Sequence, residues 1–252
     1  MFGKKKRVQE LKVKEAGLQQ RLREAELFAD VQSELVAKEL RTPLVKLQRE
    51  LQSALGQDAS SEDLKKTLQH ALAEVSEYKK VIDDIFLITR ANLYKEPGLF
   101  VPINIAEATA EVAHLFQEAA KKKGIQLFQD LEANLTYPAH PTYFRKMVSL
   151  LIDNAIKYTQ KGSIKVSLKR LKNEIVLVIE DTGVGMEPEQ VSKAFKRFYR
   201  LEKSRQESVS GHGLGLSLAQ WIARLHGTDL EVTSMTDKGT TLVVRFSLKS
   251  LM

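Results

Sequence analysis

Three segments in the second half of the chain place chemistry-bearing residues at spacings that suit a nucleotide. Asp181-Thr182-Gly183-Val184-Gly185-Met186 follows directly on a run of alternating apolar residues. A carboxylate fixed at a strand end, beside backbone that lacks Cβ atoms, can accept from an exocyclic amine while a ring lies against the glycines. Gly211-His212-Gly213-Leu214-Gly215-Leu216 opens a helical pattern, and the free N–H groups and dipole of a helix start favour phosphate. Asn154 and Lys157 lie in Asn154-Ala155-Ile156-Lys157-Tyr158-Thr159; their i,i+3 spacing puts both on one helix face. An amide oxygen for Mg²⁺ and an ammonium for phosphate complete the set. Singly, each segment also reads as a turn or a tight helix cap. All three in this order are hard to explain as turns.

The elements that must hold these residues follow from hydrophobic periodicity. Ala106 to Lys123 reads as helix, Gln126 to Asp130 as a short strand and Tyr143 to Thr159 as an amphipathic helix. Two alternating strands, Ser163 to Leu171 and Glu174 to Glu180, meet at Lys172-Asn173. Leu214 to Leu225 reads as a helix, and Asp229 to Ser234 with Thr240 to Leu248 as a closing strand pair. This is the pattern of an α/β sandwich with helices over one face of a mixed sheet. The first part of the chain is different. From Val8 to Leu55 the pattern is one long helix, with a change of phase at Pro43, where a proline bends the helix. A polar turn, Gly56 to Ser61, precedes a second helix to about Asn92, with Ser60 or Ser61 as its N-cap. Two amphipathic helices cannot enclose a core alone, so an antiparallel hairpin pairing with a second copy as a four-helix bundle is expected. Pro97 and Pro102 mark the crossing between domains, giving three segments: 1–24, 25–95 and 96–252.

Composition narrows the classes. The 252 residues are 43% hydrophobic and 28% charged, enough for packed cores. No window reaches the roughly 18 apolar residues of a membrane helix, and no apolar stretch follows the basic start. With no cysteine there is no thiolate metal site and no cysteine nucleophile, and a cytoplasmic setting is expected. Of the net charge of +7, residues 1–24 carry +5, from eight Lys and Arg against three Glu. A basic block at one end fits a solvated helix, a membrane surface or an upstream sensor better than nucleic acid, for which no recognition-helix pattern is present.

The motifs together resemble the catalytic core of bacterial two-component sensor histidine kinases. Asn154 to Thr159 is similar to that family's N box, Asp181 to Gly185 to its G1 box, Phe195-Lys196-Arg197-Phe198-Tyr199-Arg200 to its F box and Gly211 to Leu216 to its G2 box. Glu39-Leu40-Arg41-Thr42-Pro43-Leu44 resembles the body of its H box. The resemblance spans about residues 25–248. It implies a dimeric helical hairpin for dimerisation and histidine phosphotransfer, followed by a Bergerat-type (GHKL) ATP-binding α/β sandwich. It also implies a homodimer that binds ATP and Mg²⁺ and acts on a response-regulator receiver domain. Asp181 would select adenine and Asn154 would help hold Mg²⁺. Lys157, Tyr158, Gly183, Gly185, Gly211, Gly213, Leu214, Gly215 and Thr240 would contact nucleotide, and Arg200 to Ser210 would form a mobile lid.

Departures from the pattern bear on mechanism. The phosphoacceptor histidine of the family immediately precedes the Glu of E-L-R-T-P, and here that position is Lys38. A solvent-facing lysine, with its ordinary pKa near 10.4, has no free lone pair at neutral pH. Histidine autophosphorylation is therefore expected to be impaired, leaving Glu39 and Thr42 as the remaining catalytic positions. Thr42 could position water against a phosphoaspartate, so a receiver-directed phosphatase is one alternative and a non-catalytic nucleotide-gated scaffold another. Leu150 also stands four residues before Asn154, where the family has an asparagine, and His140 stands where it has Asp. Trp221 is expected to pack against the sheet. His226 is expected at a helix end, as a cation favoured by the dipole.

Overall fold

The computed structural model describes residues 44–55, 60–93, 100–201 and 211–248. Lys38, Glu39, Thr42, the basic start, the bend at Pro43 and residues 202–210 of the expected lid lie outside them. The chain divides into two compact units, residues 1–79 and 80–252.

In the first unit, residues 44–55 are helical (α1) and face the start of α2 (Ser61–Leu93). Ser60 caps α2: its Oγ accepts from the Asp63 amide at 3.2 Å, and Glu62 and Asp63 add acidic charge to the first turn. Leu47, Ala71 and Tyr78 form a small core with Leu51 packed against it. That is too little to cover the helices. Leu44, Leu55, Leu68, Leu72 and Val75 stay exposed, as do Ile82 and Phe86 further along α2.

The second unit is built on a five-stranded sheet of order β2-β4-β5-β7-β6. Its strands are β2 (Ile125–Leu131), β4 (Gly162–Leu171), β5 (Glu174–Asp181), β6 (Leu230–Met235) and β7 (Gly239–Ser247). β2 runs parallel to β4, whereas the other neighbours are antiparallel, so the sheet is mixed. Alternation along the strands sends Ile164, Val166, Leu168, Leu177, Ile179, Leu242 and Val244 to the buried face. The opposite face carries charge, as in Asp130 with Lys165 and Lys169, and Arg245 with Glu231 and Glu174. α3 (Ile105–Leu115), α5 (Pro141–Tyr158) and α7 (Gly215–Leu225) bury Val112, Phe144, Leu151, Leu218 and Ile222.

Two details depart from the periodicity. The expected helix from 106 to 123 is two, α3 and α4 (Gln117–Lys122), separated at Phe116. In addition, β1 (Val101–Asn104) and β3 (Thr136–Ala139) form a separate antiparallel pair in which Pro102 faces Pro138. Prolines are tolerated in such an edge ribbon because no inner ladder needs their missing N–H. A short helix α6 (Pro188–Val191) follows the glycine segment after β5.

Candidate nucleotide site

The end of β5, the end of α5 and the start of α7 meet at one open cleft lined by polar and apolar side chains. β5 brings Asp181, which is 4% exposed. Its Oδ1 accepts from the amides of Gly183 at 2.8 Å and Thr240 at 3.3 Å. With one oxygen committed to the backbone, Oδ2 is left to face the cleft. Burial pushes the Asp181 carboxyl up to about 6, against the pull of those two N–H donors. Gly185 turns the chain at φ +61°, and a Cβ there would overlap the Met235 carbonyl oxygen. Gly239, at φ +101°, lies in the same way against the Asp181 carbonyl. An alanine at 185 combines left-handed strain with a backbone clash, so Gly185→Ala should cost roughly 2–4 kcal/mol of stability. Chemical denaturation of the variant beside the parent checks this.

α5 supplies Asn154, Lys157 and Tyr158 to the cleft wall. Lys157 is held by Asp153 one turn earlier, Nζ to Oδ2 at 2.6 Å. A Cβ on Gly211 would lie 3.6 Å from the Lys157 ammonium, so the glycine segment before α7 passes directly over that charge. Gly213 at φ +69° accommodates the neighbouring F-box backbone, whose Phe198 amide donates to the Gly213 carbonyl at 2.9 Å. The cleft thus has an acidic end at Asp181, Gly185 and Thr240, and a cationic, glycine-lined end at Lys157, Gly211, Gly213 and Gly215.

Two expected residues act from behind the cleft rather than in its lining. Gly183 lies against the Tyr158 carbonyl, where a Cβ would collide. The Leu214 side chain is buried, and its carbonyl accepts from the Leu218 amide and the Ser217 hydroxyl at 2.9 Å each. Leu150, Met186, Ala194, Tyr199, Arg200, Leu201 and Leu216 also line the walls. Met186 closes the Asp181 segment, Leu201 falls in the expected lid and Leu150 stood out as a departure, whereas Ala194 belongs to no motif. For Mg²⁺, the cleft offers the Asn154 amide oxygen beside the Asp153 carboxylate. That small donor set fits an ion that keeps most of its waters and takes phosphate oxygens. Among the described residues no cluster of three or more His, Cys, Asp or Glu is present.

At the far end of α5, His140 is the N-cap: its Nδ1 accepts from the Tyr143 amide at 3.4 Å. His226, which closes α7, accepts the His140 amide on Nε2 at 3.1 Å and donates from Nδ1 to the Ile222 carbonyl at 2.8 Å. Both ring nitrogens are thereby used by a neutral imidazole. Burial lowers its pKa, with repulsion from His140 adding to this and the Ile222 bond opposing it. The expected dipole-stabilised cation at 226 is therefore corrected to a buried neutral tie between two helices. Trp221 is half-buried and stands edge-on to Tyr143 of α5, 5.7 Å between ring centroids.

The mixed sheet, the helix layer and the cleft at the ends of β5, α5 and α7 define an ATPase domain of a known type. Residues 139–250 match the family described as Histidine kinase-, DNA gyrase B-, and HSP90-like ATPase, and this part of the chain belongs to it. The wider chain is similar to the sensor histidine kinase CusS of Escherichia coli (strain K12), 29% identical over 213 residues, 83% of this chain and 43% of that protein. It is also similar to the signal transduction histidine-protein kinase ArlS of Staphylococcus aureus (strain USA300), 32% identical over 222 residues, 82% of this chain and 46% of that protein. The solved histidine kinase ThkA, in complex with the response regulator protein TrrA, shares the fold, with TM-score 0.69 at 22% identity over 85% of this chain and 60% of that one. What the chain carries is thus a two-component histidine kinase catalytic core. It spans less than half the length of the curated relatives it matches. Among the described residues no helix is long and apolar enough to cross a membrane.

Proposed function

We propose that this chain binds ATP with Mg²⁺ and works as the signalling core of a two-component kinase on a response-regulator receiver, without phosphorylating a histidine at position 38. The observation that carries the nucleotide reading is Asp181, clamped through one oxygen by two backbone amides with its other oxygen left for an adenine amine. In this reading Asn154 holds Mg²⁺, which neutralises phosphate charge, while Lys157 and the glycine backbone at 211–215 hold the phosphates. Calorimetry with ATP and GTP tests the assignment: ATP should bind and GTP should bind much more weakly, and equal affinity would sink it.

Homodimerisation belongs to the same proposal. Leu68, Leu72, Val75, Ile82 and Phe86 are exposed along α2, and a second copy would cover such a stripe in a four-helix bundle. Each burial of a large aliphatic side chain is worth roughly 1.5–3 kcal/mol, so a charge at Leu68 or Ile82 should split the dimer. Light scattering at micromolar concentration should read a dimer for the parent and a monomer for Leu68→Glu. A monomeric parent would remove the argument. The basic residues 1–24 suit a membrane surface or an upstream sensor region. Because the ammonium of Lys38 removes the acceptor but leaves Thr42 four positions on in the sequence, the receiver-directed phosphatase remains the second reading. Faster loss of phosphate from a phosphorylated receiver in the presence of this chain and ATP would favour it over a binding scaffold.

A further inference from the structure

The last four carbonyls of a helix have no partner within it unless the chain supplies one. In α5 each of the four is taken. Ala155 accepts from the Thr159 amide at 3.1 Å, and Tyr158 accepts from the Val184 amide of the glycine segment after β5, also at 3.1 Å. The two between them, Ile156 and Lys157, both accept from the ammonium of Lys123, at 2.6 and 3.0 Å. Lys123 comes from a distant part of the chain, at the C-cap of α4. Its own backbone is fixed, its amide donating to Ala119 and Ala120, and Gly124 at φ +72° turns the chain away into β2. Desolvation against the helix lowers the Lys123 pKa from its ordinary value.

This turn of α5 carries the cationic end of the cleft. Lys157, paired with Asp153 at 2.6 Å, and Asn154 both project from it. The negative end of a helix dipole faces the same way. Resting on the proposed nucleotide reading, we infer that Lys123 is a positioning residue for phosphate binding. Its ammonium seals the end of α5, offsets the negative helix terminus and holds Lys157 and Asn154 at the phosphate end of the cleft. The acidic end is built separately, from Asp181 at the close of β5, Gly185 in the segment after it and Thr240 on β7. The two halves of the ligand should therefore respond differently when the ammonium is removed.

The test is calorimetry of the parent, Lys123→Met and Lys123→Arg with ATP and, separately, with adenosine, each variant checked for thermal unfolding without ligand. Lys123→Met should weaken ATP by about fivefold, the scale of a charge at a helix terminus, and leave adenosine within about twofold. Lys123→Arg should recover most of the loss. If Lys123→Met does not fold, Lys123→Gln, which keeps a donor and loses the charge, is read in its place against the same criterion. A merely structural role would lower both ligands by the same factor, and that result, or unchanged ATP affinity, overturns this inference alone. A parent that binds neither ligand overturns the nucleotide reading and this inference with it.

Discussion

Incubated with γ-labelled ATP and Mg²⁺, the parent chain should acquire no acid-labile label, and Lys38→His should acquire it. The argument is one of lone pairs. A solvent-facing lysine stays protonated near neutrality, because its ordinary pKa is about 10.4, whereas much of a histidine population is neutral. A neutral ring nitrogen can form a bond to the γ-phosphorus as the bond to the bridging oxygen breaks and ADP leaves. Glu39, the next residue in the sequence, would be the acceptor of the ring proton. The expected change is from background to a readily measured fraction of chains, with ATP affinity the same in both proteins. Label on the parent that maps to His70 or His114 would overturn the claim. His70 is the sharper control, since its Nδ1 lies 3.4 Å from a carboxylate oxygen of Glu50. Label on neither protein, with ATP bound by both, would place a second lesion at Leu150 or His140.

The second large effect is at Asp181, where stability and binding should move in opposite directions. The carboxyl titrates near 6 in the fold against an ordinary value of 3.8. A raised acid is bound to its proton more tightly when folded. Its contribution to stability is therefore full below about 3.8 and is lost as pH rises through about 6. The difference between 3.8 and about 6 corresponds to roughly 3 kcal/mol, so Asp181→Asn should be more stable than the parent at pH 7.5 and show no such advantage at pH 4. The asparagine carbonyl can take over the Gly183 and Thr240 amides. Its NH₂ then faces the cleft and meets the adenine amine donor to donor. ATP should weaken by roughly 1–3 kcal/mol, or about 5- to 150-fold, while a purine with a carbonyl at the same position gains relative to it. In the parent, ATP affinity should decline as pH falls below about 6, since adenine requires the ionised form. Denaturation and calorimetry at the two pH values read both halves. Asp181→Asn that loses stability at pH 7.5 and keeps its ATP affinity would refute the account.

Much of this was legible in the sequence because the signals were local. The alternation in Ser163–Leu171 and Glu174–Glu180 fixes two neighbouring strands, and the structure pairs them from Ile164 with Asp181 to Leu171 with Glu174. The Asp181, Asn154 and Gly211 segments each announce a backbone or a charge, and the fold brings all three to one cleft. What escaped depended on tertiary neighbours. Four-residue strands containing Pro102 and Pro138 show no alternation to read. Phe116 breaks a helix whose residues on both sides remain good helix formers. Ala194 looks like any core residue until the cleft opens beside it. The neutral state of His226 is set by its burial, and its Nε2 is taken by the His140 amide, 86 positions away in sequence; no helix-end rule contains either.

That tie also bears on how the domain comes apart. The start of α5 and the close of α7 are joined through His140 and His226, with Phe100 edge-on to His226 and the Phe144 and Phe246 rings around it. Opening either helix exposes a buried imidazole and strips an amide of its acceptor. The two helices should then exchange their amide hydrogens as one cooperative unit. The end of α5 and the start of α7 together carry the cationic end of the cleft, so that end has no separate existence once either helix opens, and slow hydrogen exchange at Asn154 and at Leu218 should report a single opening event.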